Sequence, residues 1–535
     1  MDTGFDYAVH GLQPSRRPAI PGGRATIAAV LAAAREASPD RVALVGRNGR
    51  LTYEQLAVAV DRAAWALREA GIGRFDRVAG SLPNDVDLVI AFLATLRLGA
   101  IWVGLPRVLS IPEKRFILED ASVSLLLAER AVAAQLLASP DSAIQADVWD
   151  ADPGDAASTW SRRLRAAPDR PFPTDAIDPH APAAIAYTSG TTGFPKGAVH
   201  SQHNLLTPGA VLAATGDFGP GDTTGVVLPL TIPNLMVVGP LALFQAGGGC
   251  VAIDQTDPVG LAEWISRERI NHMTAVPTLY HDLLSRTDLA QSLRSLTRPE
   301  VGGADMPEPL RRLFRERFGR EVQVAYGLTE APSRVTWHQD ERAVPDACGK
   351  ACPHIAIAIR DDSGDPAPER AVGEIWVGPR DEGPFKGVYT PFLGYWRAPE
   401  ATARTLRDGW LDTGDLGCLD AAGNLYIRGR RKELILRGGA NVYPAEVERV
   451  LCEDPRVAAC AVIGTPHDRL GQQVVAFVQF SPGARASTDE LRTLCEANLA
   501  RYKVPVAFHV VDAFPRNAMG KIVKPKLAEQ LLGVS

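Results

Sequence analysis

The chain has 535 residues, 46% hydrophobic and 22% charged, with a net charge of −5 at pH 7. That length corresponds to about three or four domain-sized units with ample core, and the composition excludes disordered, collagen-like and coiled-coil chains. A mildly acidic whole argues against a nucleic-acid protein, which carries a basic face. Residues 1–18 lack the basic-then-apolar pattern of a signal peptide, so none is expected. Thr52 with Gln55 is a capping-box pattern that opens an Ala/Leu-rich helix ending near Gly71. Residues 77–82 then read as a short strand, 85–97 as an apolar-faced helix and 100–105 as a buried strand. Gly99 sits where a helix end wants glycine. This alternation continues to about residue 330 and predicts an α/β fold, with layers around mostly parallel sheets. The Ala-, Asp- and Pro-rich segment 138–182 reads as a surface excursion before a core strand at 183–187.

Between Asp222 and Asp254 no residue is charged, but Pro229, Pro233 and Pro240 interrupt the stretch. Buried strand, loop and helix is the expectation, and no transmembrane segment. From about 349 to 429 the texture changes to short strands and turns, with Gly423-Asn424 as a hairpin turn. After Arg430 a smaller alternation begins, of about 105 residues, which reads as a separable α+β domain. Seven cysteines without a CxxC pair read as buried thiols of a reducing compartment, so the expected location is cytoplasmic.

The sharpest local feature is Tyr187-Thr-Ser-Gly-Thr-Thr-Gly-Phe-Pro-Lys196-Gly197, an apolar strand running into a glycine- and hydroxyl-rich loop with one lysine. Glycines let backbone amides approach a polyphosphate, hydroxyls donate, and the lysine adds a point charge. Pro195 and Gly197 flank the lysine, so this is not the phosphate loop of the common NTPases. Gly247-x-Gly249-x-x-Ala252 fits a dinucleotide pattern formally. It is expected to have a strand after the glycines, whereas that loop needs a helix there. The chain has only nine lysines against 48 arginines. Lysines that remain are therefore expected to be placed for a reason, and Lys196, Lys432 and Lys521 all lie in glycine-rich motifs.

The ordered motifs Tyr187–Gly197, Tyr326-Gly-Leu-Thr-Glu330, Gly373-Glu-Ile-Trp-Val, Gly409-Trp-Leu-Asp-Thr-Gly-Asp415, Gly429-Arg-Arg-Lys-Glu-Leu-Ile, Gly438-Gly-Ala-Asn-Val-Tyr-Pro-Ala-Glu446 and Pro515-Arg-Asn-Ala-Met-Gly-Lys521 run over nearly the whole chain. In these the sequence resembles the adenylate-forming (AMP-binding) superfamily, in the form of stand-alone acyl- and aryl-CoA synthetases. The resemblance implies a large N-terminal domain, 1–429, of two αβ-layered sheets and a small β-rich subdomain near 349–429. It also implies a small α+β lid, 430–535, with a hinge at Lys432. By the same resemblance, Thr188, Ser189, Gly190, Thr191, Thr192, Gly193 and Lys196 close on the ATP β- and γ-phosphates. Gly303 and Ala304 line the adenine slot, and Tyr326 stacks on the base. Thr329 touches the α-phosphate, Glu330 holds Mg2+, Asp415 and Arg430 take the ribose, and Lys521 bridges the attacking carboxylate and the α-phosphate. Arg437, Gly438 and Gly439 are implied on the coenzyme A path, and Ile232, Asn234, Thr278 and Gly302 in the acyl pocket.

Amino-acid-activating relatives place an aspartate after the strand that here reads Val226-Val-Leu-Pro229. No acid follows here before Asp254, so an amino-group substrate is disfavoured, because an unpaired buried ammonium is costly. Ile232 stands where many acyl- and aryl-CoA synthetases carry histidine, implying a more apolar pocket wall. The implied cofactors are ATP, Mg2+ and coenzyme A as co-substrate. The expected partner is a small carboxylic acid without an amino group, with no nucleic acid, and a homodimer is the expected assembly. Two other functions stand beside the acid:CoA ligase: an acyl-AMP ligase that loads a carrier protein, and a catalytically silent adenylate-binding protein.

Overall fold

The computed structural model describes residues 4–532 except 139–144, 174–176, 189–194, 303–307, 320–321, 333, 339–343, 345, 439 and 518–519. The predicted cap at Thr52 forms. Its side chain accepts the Gln55 amide while the Gln55 side chain accepts the Thr52 amide, opening the helix Tyr53–Glu69. Such a cap contributes about 1 kcal/mol. Asp85 caps the next helix, Val86–Arg97. The expected apolar-faced helix is buried on every side, since every residue from Leu88 to Leu96 is buried. The reason is position: this helix packs against strands of two different sheets and has no solvent side over that length.

Those two sheets carry part of the site, and each has seven strands. The first runs, edge to edge, Gln323–Ala325, Arg298–Gly302, His272–Ala275, Thr223–Val226, Gly249–Ala252, Val42–Gly46 and Gly49–Thr52. All its neighbours pair parallel except the last two strands, which form a hairpin. The second runs Gly394–Tyr395, Lys196–Ser201, Pro182–Thr188, Ile101–Gly104, Arg77–Ser81, Leu125–Ala128 and Asp147–Asp150. It is parallel from Pro182–Thr188 onward, and antiparallel at its Lys196–Ser201 edge.

The segment 138–182 is more than a surface excursion. Its strand Asp147–Asp150 extends the second sheet, and its helix Thr159–Ala166 packs on Tyr53–Glu69. Trp149 and Trp160 are buried, and the Trp160 indole donates to Asp87 at 2.9 Å. Two tryptophans bury enough apolar area to order a stretch whose other residues suggest a loop.

The charge-free stretch is buried as expected: strand Thr223–Val226, a helical run from Pro233 to Ala246, then strand Gly249–Ala252. The run widens to a π-helix over Val237–Leu241, where Pro240 has no amide to close an α-helical bond. Gly247 ends it with φ +74°, so helix precedes strand at these glycines, the reverse of a dinucleotide loop. Among the described residues no helix is long and apolar enough to cross a membrane.

A five-stranded sheet follows, from Ile355–Arg360, Gly373–Pro379, Leu406–Arg407, Trp410–Leu419 and Leu425–Arg430. Its predicted hairpin turn has Gly423 at φ +80° and Asn424 bonded to Asp420. Within this stretch Gly394–Tyr395 crosses to the second sheet and pairs with Lys196–Ser201. The chain after Arg430 makes its own sheet, Ala440–Val442, Ile435–Arg437, Gly471–Phe480, Val457–His467 and Ala507–Val510. Helices Pro444–Leu451 and Thr488–Asn498 cover it, around a separate core that includes Val447, Val462, Val474 and Leu491. All seven cysteines are free.

Candidate active site

Strand Pro182–Thr188 leads into the glycine-rich loop and strand Lys196–Ser201 leads out, with Thr188 directly opposite Lys196. The expected phosphate-loop residues Ser189, Gly190, Thr191, Thr192 and Gly193 lie outside the described residues. Thr188 Oγ1 donates to the Lys196 carbonyl at 3.4 Å, closing the neck. The Lys196 ammonium lies 5.5 Å from the centroid of the Tyr395 ring. Its pKa is lowered, first by burial and then by the like charges of Lys432 and Arg404, against the pull of Glu330. Converging like charges repel one another and favour a polyanion between them.

Glu330 and Thr329 form the tip of a tight turn closed by the Leu328–Ala331 bridge. Asn234 holds that turn by donating to the Leu328 carbonyl at 3.2 Å. Phe392 N donates to the Glu330 carbonyl at 2.8 Å. Tyr395 Oη donates to Glu330 Oε1 at 2.7 Å, so one carboxylate oxygen is oriented by protein. Below the turn His200 is fully buried, bonded to Asn204 at 2.7 Å and adjacent to the Thr329 backbone. Burial pushes its pKa down to about 4, so the imidazole is neutral at pH 7 and adds no charge beneath Thr329.

Asp415 is the centre of the second cluster. Strand pairing sets it opposite Arg430, and Arg430 Nε lies 3.1 Å from its Oδ1. Tyr326 Oη donates to Oδ2 at 2.6 Å. Burial raises the Asp415 pKa; Arg430, the Tyr326 hydroxyl and the Lys521 charge pull it back. A carboxylate with both oxygens engaged and little water is a bidentate acceptor for paired hydroxyls. Lys521 thus reaches this cluster from the far end of the chain. It is exposed, in a compact turn where its amide donates to Asn517 Oδ1 at 3.0 Å and Arg516 donates to Gly520 O at 2.6 Å.

Other predicted residues lie elsewhere. Arg437 donates to the carbonyls of Tyr502 at 2.7 Å and Val504 at 3.4 Å, within the C-terminal sheet. Gly438 follows with φ +59°, its amide bonded to Leu470 O at 2.7 Å, and Gly439 lies outside the described residues. Ile232 precedes the helical run that carries Asn234, and Thr278 is exposed at the start of helix Pro277–Leu284. Gly302 ends the strand Arg298–Gly302, and Gly303 and Ala304 fall outside the described residues. That strand is held by buried Glu300, which pairs with Arg334 and accepts from Thr274 Oγ1 at 2.9 Å. Burial would raise the Glu300 pKa, but Arg334 and His272 outweigh it and hold it at about 2. Removing one partner of such a buried pair costs about 3–5 kcal/mol.

Sequence reasoning missed Tyr395, Arg404 and His200. Tyr395 arrives through the strand crossing at Gly394–Tyr395, and Arg404 through the helix Pro399–Thr405 that follows it. No local pattern announces either. His200 could have been found from its spacing of four residues past Lys196 on the outgoing strand, which points its side chain to the same face.

Comparison with known proteins agrees with this arrangement. Residues 31–389 match the AMP-binding enzyme family, and residues 446–521 match the AMP-binding enzyme C-terminal domain. The chain is 33% identical over 495 residues to the indoleacetate–CoA ligase of Aromatoleum aromaticum, covering 91% of this chain and 94% of that protein. It is 31% identical over 515 residues to a fatty acid–[acyl-carrier-protein] ligase of Streptomyces coeruleorubidus, covering 93% and 95%. ATP-bound MatB of Rhodopseudomonas palustris superposes with a TM-score of 0.84 at 30% identity, over 94% of this chain and 98% of that one. Ordered motifs, two charged clusters and these matches lead to one conclusion: the chain belongs to the AMP-binding enzyme family.

Proposed function

We propose that this protein is an AMP-forming acid:CoA ligase. It joins a carboxylic acid without an amino group to ATP, releasing pyrophosphate, and passes the acyl group from the adenylate to coenzyme A, releasing AMP. The observation that carries this reading is the convergence of Lys196, Lys432 and Arg404 near Glu330, beside a buried Asp415 reached by Lys521. The first set suits the β- and γ-phosphates and the second the ribose and α-phosphate. Carboxylate and phosphate repel, so in-line attack at phosphorus needs positive charge between them, and Lys521 supplies it. Tyr326 and Arg430 orient Asp415, and Thr188 narrows the loop's neck. The predicted roles of Gly303 and Ala304 at the adenine and of Thr329 at the α-phosphate are part of this reading.

Mg2+ fits the Glu330 carboxylate, a hard oxygen ligand held at one oxygen by Tyr395. When bound it neutralises phosphate charge. Glu330→Gln is therefore expected to demand far more magnesium for pyrophosphate release. Tyr395→Phe is expected to raise the half-saturating magnesium about tenfold, the range found when an outer partner of a metal ligand is lost. Magnesium titrations of the two variants check this, and parental curves would remove Glu330 from metal binding.

For the domains we propose 1–429 as the adenylation body, with a β-rich subdomain near 349–429, and 430–535 as the lid turning at Lys432. The C-terminal sheet with its own core supports that division. Lys521 is close enough to Asp415 to lower its pKa, while Arg437 and Gly438 face Tyr502, Val504 and Leu470. One pose therefore serves adenylation, and a second is needed to bring Gly438-Gly439 to the adenylate. Ile232 and Asn234, with Thr278 and Gly302, are proposed to bound the acyl pocket. A homodimer in the cytoplasm is the proposed state.

Carrier-protein loading is the second reading, favoured by the similarity to the Streptomyces coeruleorubidus enzyme. The test is a panel of aryl and aliphatic acids with ATP and Mg2+, followed by coenzyme A. Acid-dependent pyrophosphate release followed by CoA-dependent AMP release is the expected result. Pyrophosphate without CoA-dependent AMP would favour the carrier protein, and no pyrophosphate from any acid would favour a silent binder.

A further inference from the structure

Arg431, Lys432 and Glu433 form a single 3-10 turn. The outer two are tied in opposite directions. Arg431 reaches back, pairing with Glu374 on strand Gly373–Pro379 and, at 2.9 Å, with Asp412 on strand Trp410–Leu419. The Asp412 side chain is buried, and its other oxygen accepts the Gly414 amide at 3.0 Å. Glu433 reaches forward: its Oε2 lies 2.7 Å from Lys524 Nζ, at the start of helix Lys524–Leu532. The same ammonium lies 2.8 Å from Glu448 of helix Pro444–Leu451, and Glu448 accepts the Val462 amide at 2.7 Å. Burial alone would lower the Lys524 pKa, but its two carboxylates outweigh that and hold it up at about 12.

The geometry points to a two-clamp pivot: Arg431 on one side and the Glu433–Lys524–Glu448 bridge on the other are positioning residues that confine the lid's rotation to the backbone of Lys432. This rests on the reading of Lys432 as the hinge given above. Arg431 belongs mechanically to the body, through two carboxylates of its β-rich sheet. Glu433 belongs to the lid, through a lysine shared with Glu448. A rotation spread over 431–434 would have to break one clamp, so a single residue between them absorbs the change of φ and ψ. The bridge also has a second consequence. Lys524 lies three residues after Lys521, so the salt bridge that defines the hinge angle also sets how Lys521 enters the site.

The test is suppression. Lys432→Pro alone is expected to reduce pyrophosphate release only in part, through the lost charge near Lys196, and to lose most acyl-CoA formation. Adding Glu433→Gln frees the lid side of the turn while leaving Lys524 paired with Glu448. The double variant is expected to recover about two- to fivefold in acyl-CoA formation, the range set by losing one partly exposed ion pair. A Glu433 that served only stability would leave the rate where it was or lower both steps, and that result overturns the clamps. Should thermal unfolding show the double variant to be unfolded, Arg431→Gln in the same background releases the other clamp, and the same recovery is required. A Lys432→Pro enzyme that makes acyl-CoA at the parental rate sinks the hinge and the clamps together. A blocked single variant without recovery in the double sinks the clamps alone.

Discussion

Lys521→Ala is expected to lose pyrophosphate release from acid and ATP by about a hundred- to a thousandfold, the scale seen when one preorganised donor to a developing charge is removed. Acyl transfer to coenzyme A from supplied acyl adenylate is expected to survive. The asymmetry follows from chemistry. Only while a carboxylate attacks a phosphate must two anions be held together, and only then is the ammonium between them needed. Geometry agrees: Lys521 is exposed on a hydrogen-bonded turn, close enough to Asp415 to lower its pKa, and packs no core. Loss of its side chain should therefore leave the fold and its melting temperature intact. Assay of the two half-reactions separately decides the matter, and equal loss in both would remove Lys521 from the attack step.

Lys432→Pro should divide the half-reactions the other way. Proline fixes φ near −65°, which matches a 3-10 turn, so the pose with Lys521 beside Asp415 remains accessible. The second pose needs a different backbone at this position, and proline withholds it. Pyrophosphate release is expected to persist, reduced by the loss of the Lys432 charge near Lys196. Acyl-CoA formation is expected to fall by about a hundredfold, as when a positioning change far from the chemistry misplaces the reacting groups. Lys432→Ala is the control. It removes the charge but leaves the backbone free, so a proline-like loss of acyl-CoA formation in alanine would mean that charge, not rotation, was responsible.

The residue pattern by itself determined the layered α/β architecture, the helix cap at Thr52, and the turn at Gly423-Asn424. These are short-range matters of side-chain hydrogen bonds, left-handed φ and apolar periodicity, and they are legible a few residues at a time. It also marked Lys196 and Lys521 as scarce lysines in glycine-rich company, whereas Glu330 and Asp415 were implied by the family resemblance. Tertiary structure alone decided who stands beside whom. The strand crossing at Gly394–Tyr395 brings a tyrosine to Glu330 that nothing near residue 395 foretells. Trp149 and Trp160 turn an apparent loop into a sheet edge and a helix, since their burial depends on partners far along the chain. The helix at Val86–Arg97 shows the same limit, because apolar residues on every side of it become intelligible only with a sheet on each flank. The bridge from Lys524 to Glu433 spans 91 residues, and an ion pair of that separation has no signature in sequence spacing because only the folded core fixes its distance.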